Sequence, residues 1–102
     1  MDLINNLRSL QLFDAYGMML TDKQRMCLKD YLVNNLTLSE ISQLYGISRQ
    51  AVNFNIKESL KLLQNYEEKL GFCDKCDRIE QVLINSTLNK EDIHNILDIL
   101  KE

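Results

Sequence analysis

Proline is missing from all 102 residues, tryptophan is missing too, and glycine occurs only three times, as Gly17, Gly46 and Gly71. Without proline no helix is broken from inside, and so few glycines leave little to turn a sheet, so helix is favoured almost throughout. No alternating apolar and polar run is long enough for a strand. Nor is there any stretch near the roughly 18 consecutive apolar residues of a membrane span. The opening residues, Met1 to Asn6, lack the basic-then-apolar layout of a secretory signal, which predicts a cytoplasmic location. A basic excess is also lacking. The net charge is -3, which argues against indiscriminate attraction to phosphate. Its distribution is uneven: residues 20 to 70 hold seven Lys or Arg against six Asp or Glu, and residues 71 to 102 hold four against seven. Any nucleic-acid face is therefore local.

Cysteine is scarce and odd in number, Cys27, Cys73 and Cys76, which disfavours a secreted disulfide scaffold and predicts thiols. Cys73-Asp74-Lys75-Cys76 has the spacing of half a zinc site, but a closed site needs four ligands and only Cys27 and His94 remain to complete it. A redox dithiol would want a thioredoxin-like strand context that is not there. No metal and no cofactor are expected. Catalysis is not expected either: there is no glycine-rich phosphate cradle, and the single histidine, His94, shares a terminal amphipathic face with Glu91 and Asp98, which reads as solvated ion-pairing surface.

What is present is 45% hydrophobic and 26% charged residues, ordinary values for a folded domain, in a length that closes about one core. Leu3, Leu7, Leu10, Phe13 and Met18 form an apolar stripe on a first helix that ends near Gly17. Thr21-Asp22-Lys23-Gln24 is a capping box that opens a second helix, with Met26, Cys27, Tyr31 and Leu32 inward and a turn at Asn34-Asn35. Thr37-Leu38-Ser39-Glu40 repeats the box and opens a short third helix stopped by Gly46. Ser48 caps a fourth, the longest, with Val52, Ile56, Leu60 and Leu63 on one side and Leu70 before Gly71. Two further amphipathic segments follow, around Ile79, Val82 and Leu83, and from a cap at Asn89 through Ile93, Ile96, Leu97 and Leu100, together a helical hairpin.

Residues Thr37 to Leu63 carry the sharpest pattern: capped helix, glycine, serine cap, second helix. Such a corner needs a left-handed residue, which Gly46 supplies, and a buried wedge, for which Ile41, Leu44, Ile47, Val52 and Ile56 are available, with Ala51 small where the helices approach. The predicted fold is all-α, a helix-turn-helix without a wing, with a C-terminal helical hairpin. If Val52 and Ile56 point inward, then Arg49, Gln50, Asn53 and Lys57 point out, as on a recognition helix. Arg and Lys reach guanine edges or phosphates, and Gln and Asn can pair with adenine. Amides at the Ser48 cap can hold a phosphate, and Lys23 and Arg25 are candidate backbone contacts upstream. Phe54 and Glu58 on the same helix are atypical for such a face. The bland alternative is a helical bundle whose polar face is merely solvated.

Leu20 to Arg25, Leu38 to Ile41 and Gly46 to Val52 resemble region 4 of bacterial sigma factors. Adding Phe13-Asp14-Ala15-Tyr16-Gly17, Asn55-Ile56-Lys57 and Tyr66-Glu67-Glu68-Lys69-Leu70 makes the chain resemble the YlxM family over residues 10 to 72. That resemblance implies a sigma-region-4-like fold, a nucleic-acid-binding or regulatory role, and a link to the signal recognition particle pathway. Its contact face here is Ser48, Arg49, Gln50, Asn53 and Lys57; Glu58 departs from the basic residue often found after Ile56-Lys57. Partners implied are DNA or RNA, including signal recognition particle RNA, and the signal recognition particle GTPase. Residues 1–72 are read as the helix-turn-helix domain, with recognition helix 48–70, and 73–102 as an extension packing on that domain or on a partner in a homodimer. The competing function is a protein-interaction adaptor to the same machinery that binds no nucleic acid itself.

Overall fold

The computed structural model describes residues 3–100, with side chains from residue 6 onward. They form α1 (Leu3–Tyr16), a 3-10 turn (Gly17–Met19), α2 (Asp22–Leu32), α3 (Leu38–Tyr45), α4 (Arg49–Leu70), α5 (Phe72–Ile84) and α6 (Lys90–Leu100). No strand occurs among the described residues, and the fold is all-α with a helix-turn-helix.

Local chemistry sets the ends of these helices. At α2 the Gln24 amide donates to Thr21 Oγ1 at 3.2 Å while the Thr21 amide donates to Gln24 Oε1 at 3.1 Å. Thr37 and Glu40 make the same reciprocal pair at α3, both bonds at 3.1 Å. Ser48 Oγ accepts from the Ala51 amide at 3.0 Å, and Asn89 Oδ1 from the Asp92 amide at 2.8 Å. Each cap satisfies an amide that the first helical turn leaves without a partner, which contributes about 1 kcal/mol. Gly46 (φ 67°) closes α3, and Asn35 (φ 56°) turns the chain after α2. Beyond Gly46 the Ile47 amide donates back to the Ser42 carbonyl at 3.1 Å, the wide loop that a left-handed glycine permits.

Helices α1, α2 and α3 all pack on α4. Leu28, Ile41, Val52 and Leu63 are completely buried where these helices meet, each contributing about 1.5–3 kcal/mol of hydrophobic stabilisation. The Tyr45 hydroxyl donates to the Asp30 carboxylate and ties α3 to α2. That hydrogen bond, with burial, pushes the Tyr45 pKa up to about 12.

The phase of several helices differs from expectation. On α1 the buried side is Ser9, Leu12 and Tyr16, whereas Leu7 is exposed and Met18, in the 3-10 turn, is 80% exposed. Leu3 lies outside the described side chains. The reason is that α1 carries apolar residues on several sides, so spacing alone does not choose one. Met26 is half exposed on α2, and Leu28 takes its inward place. On α3 Ile41 and Tyr45, four apart, face the neighbours, which turns Leu44 outward to 60% exposure. Ala51 is exposed at the helix start, and the small residue fully buried on α4 is Ser59, its hydroxyl satisfied by the Asn55 carbonyl at 2.8 Å. Leu60 is half buried, and Leu70 is half exposed at the end of α4.

Beyond Gly71 (φ 63°), α5 packs on α1, and α6 packs chiefly on α5. No residue of α6 is fully buried; Ile93, Ile96, Leu97 and Leu100 are half buried. The radius of gyration is 16.1 Å, against about 13 Å for a compact chain of this length, and the longest extent is 53 Å, so the molecule is elongated.

Candidate nucleic-acid interface

The inward side of α4 fixes the outward one. Val52, Ile56, Ser59 and Leu63 are buried. At about 100° per residue, Gln50, Phe54, Lys57 and Lys61 then fall together on the opposite side, with Asn53 beside them and Arg49 on the flank nearest the turn. Arg49, Gln50 and Lys57 are exposed and Asn53 is half buried. Five of the expected site residues, Ser48, Arg49, Gln50, Asn53 and Lys57, thus lie along the first three turns of one helix. Lys61, exposed one turn beyond Lys57, extends the stripe. The sequence reading omits it although its i+4 spacing from Lys57 is the signal that places it there. From Ser48 to Lys61 the cations Arg49, Lys57 and Lys61 outnumber the one acid, Glu58.

The hydroxyl of Ser48 accepts from the Ala51 amide, and its O–H can still donate to a phosphate oxygen. Phe54 is 67% exposed in the middle of the stripe. On α2, Lys23 is exposed and Arg25 is held at 2.7 Å by Asp22 of the same turn. Both are on a different helix from the α4 stripe, and Arg25 reaches a phosphate only by sharing its guanidinium with Asp22.

At the far end of α4 a polar junction joins the helix-turn-helix to the hairpin. The Glu67 carboxylate accepts from Tyr16 Oη at 2.6 Å and from the amides of Cys73 (3.0 Å) and Asp74 (3.1 Å), and Arg8 lies 3.6 Å away. The Phe72 amide donates to Tyr16 Oη at 3.1 Å. Glu67 therefore caps α5 from the preceding helix, where Gly71 has no side chain to do so. Burial opposes its charge, but the Tyr16 hydroxyl, the two amides and Arg8 outweigh that and hold its carboxyl below the ordinary value. Tyr16 is raised, by burial first and by Glu67 second. Sequence reasoning missed this junction because its partners are 51 residues apart.

The Cys-x-x-Cys segment opens α5. Cys73 is buried with Sγ 3.9 Å from the Gln11 carbonyl, and burial and the Glu67 charge push its thiol up to about 11. A thiol so held is a poor nucleophile and a poor metal ligand. Burial, with Asp30 nearby, also raises Cys27. Among the described residues no three His, Cys, Asp or Glu side chains cluster as a metal site, and no helix is long and apolar enough to cross a membrane.

The family described as "UPF0122: Putative helix-turn-helix protein, YlxM / p13 like" matches residues 3–101. Similar proteins include the UPF0122 protein of Halalkalibacterium halodurans, 40% identical over 77 residues, which are 76% of this chain and 71% of that one. The UPF0122 protein of Fusobacterium nucleatum is 36% identical over 91 residues, 87% of this chain and 88% of its own. That of Oceanobacillus iheyensis is 41% identical over 83 residues, 81% and 79% of the two chains.

Proposed function

The chain belongs to the UPF0122 family of helix-turn-helix proteins, and from that premise we propose that it is a nucleic-acid-binding regulatory protein whose contact helix is α4. The observation that carries the reading is the exposed stripe of Gln50, Lys57 and Lys61, with half-buried Asn53 beside it and Arg49 and Ser48 at its start, on the second helix of the motif. Arg49, Lys57 and Lys61 supply phosphate or guanine contacts, and Gln50 and Asn53 supply base-edge hydrogen bonds. The first amides of α4 offer a phosphate site, and Lys23 and Arg25 add backbone contacts from α2. Residues 1–72 then form the binding domain and 73–102 its extension. The family is one of helix-turn-helix proteins and not a class of enzymes, and the proposal contains no catalytic step, metal or cofactor.

The resemblance to YlxM extends the proposal to the cytoplasm and the signal recognition particle pathway, with signal recognition particle RNA as one nucleic acid to test and its GTPase as one protein. The exposed Phe54 and the neighbouring Glu58 favour a second reading, an adaptor in which this face meets protein. A homodimer would use the outer side of the hairpin, where Val82 is 70% exposed and Ile79 and Ile99 are exposed with it. Sedimentation as a monomer at micromolar concentration would remove the dimer.

The test is binding of the purified protein to labelled duplex DNA and to signal recognition particle RNA across a salt series. Binding that weakens with salt, and is lost when Arg49→Ala and Lys57→Ala are combined, supports the proposal and chooses between DNA and RNA. Each lost phosphate contact lowers the salt slope by about one. No binding to either at low salt overturns it in favour of the adaptor.

A further inference from the structure

A second surface lies at the other end of α4. From Asn53 to Leu70 the helix rises about 25 Å, so this surface is well separated from the contact stripe. Here α1, the 3-10 turn, the end of α4, α5 and α6 surround a cleft of about 580 Å³. Its apolar lining includes Met18, Met19, Leu70, Phe72, Leu97 and Leu100. Met18, Met19, Leu70 and Phe72 are all exposed, which is an unusual concentration of large apolar side chains on one side of a small domain. Two of the four are methionines, whose unbranched, polarisable chains repack around partners of different shape. One wall is α6, which rests chiefly on α5, so the cleft can widen without disturbing the buried core.

The rim is acidic. Asp14, Asp77 and Glu80 line the cleft with Lys75 as the one cation among the described lining residues. The Asp77 carboxylate accepts from Gln11 Nε2 at 2.9 Å and serves to hold α5 to α1. Asp14 and Glu80 make no hydrogen bond or ion pair among the described residues. A second hairpin of this chain would bring four cations and seven acids of its own against that rim, a like-charge contact.

We infer that this cleft is a docking site for an amphipathic helix of another protein, one that presents apolar side chains at helical spacing and lysines or arginines on its flanks. The apolar side enters between Met18, Met19, Phe72 and Leu97, and the flanking cations meet Asp14 and Glu80. The protein then has two working ends on one rigid helix, nucleic acid at the start of α4 and a basic helix at its finish. The inference does not depend on the proposal for the contact stripe, and Arg49 and Lys57 are untouched by its test.

The experiment uses the full chain and two fluorescent amphipathic helices, one built of Leu and Lys, the other with Glu in place of every Lys, followed by anisotropy at constant ionic strength. The Leu/Lys helix binds and the Leu/Glu helix does not. Combining Asp14→Lys with Glu80→Lys weakens the Leu/Lys helix about tenfold and admits the Leu/Glu one. Reversing two acids on the outer face of α6, Glu91→Lys with Asp98→Lys, leaves both affinities unchanged. Met18→Lys with Met19→Lys abolishes binding of the Leu/Lys helix, and thermal melts by circular dichroism confirm that each variant is folded. Equal binding of the two helices to the native chain overturns the inference. So does an outer-face reversal as damaging as the rim reversal, or self-association of the chain that displaces the helix and so makes a second copy the occupant.

Discussion

The helix-turn-helix and the C-terminal hairpin are both amphipathic helices, yet they are held by different means. Helices α2, α3 and α4 enclose side chains with no solvent contact at all, Leu28, Ile41, Val52 and Leu63. Helix α6 encloses none, and α5 buries only Cys73. The hairpin is attached by half-buried contacts and by the polar clasp of Glu67, Tyr16 and the first amides of α5. Amphipathicity specifies that a helix has a side to bury; it does not specify how deeply. Helix α4 is thus firmly packed, and the hairpin is a lightly held arm.

The largest test of this contrast is truncation in each half. Leu28→Ala should cost about 2–5 kcal/mol in urea unfolding, because it removes a fully buried side chain and leaves a cavity. Ile96→Ala, at a half-buried site, should cost about 1 kcal/mol or less. Equal losses would mean that the hairpin is as much part of the core as α2.

Next in size is the clasp. Glu67→Ala removes the cap of α5 and should cost about 1–2 kcal/mol, expressed as lost hydrogen-exchange protection in residues 72–100 while α2 to α4 keep theirs. Acid should do the same. The folded carboxyl titrates below the ordinary glutamate value, so the unfolded state binds more protons as the pH falls and stability falls with it. The contribution is complete above the ordinary pKa of about 4.3 and is lost as the pH drops through the lower folded value. In Glu67→Gln the hairpin should therefore lose this acid sensitivity.

Tyr45→Phe, which frees α3 from Asp30, should cost about 1 kcal/mol. Its partner effect is alkaline: the raised phenol contributes fully below its ordinary pKa near 10 and loses that contribution as the pH rises through about 12. Ultraviolet titration should show a late tyrosine phase near pH 12, with Tyr16 also ionising above the ordinary range, and Tyr45→Phe should remove the phase near 12. The smallest effect expected is on the contact stripe: Glu58→Lys should tighten nucleic-acid binding several-fold, about 1 kcal/mol or less, with stability unchanged. Unchanged affinity would point to a face other than the α4 stripe.

Much of this organisation was legible in the residues. Thr21, Thr37, Ser48 and Asn89 start helices where expected because a cap bonds an amide within three residues, and Gly46 and Gly71 end them because the left-handed conformation is a property of one residue. Val52 and Ile56, once inward, placed Gln50 and Lys57 outward, so the candidate face followed from one helix's own geometry. Less legible was which side of each remaining helix would be covered. Leu7, Met26 and Leu44 are as apolar as the residues that were buried in their stead.

The residues alone were enough for the all-α class, for the helix starts at Thr21, Thr37, Ser48 and Asn89 and for most of the outward stripe of α4, since each depends on bonds or spacings within one or two turns; they did not show that α5 begins directly at Phe72, because its cap, Glu67, comes from the preceding helix. The packing of the helices was needed to make Ser9, Leu12 and Tyr16 the inner side of α1, to bring Glu67 across to Tyr16 and α5, and to leave Met18 and Met19 open at a cleft. Those outcomes depend on where distant helices come to rest, and local residue spacing does not encode the position of a neighbour 51 residues away.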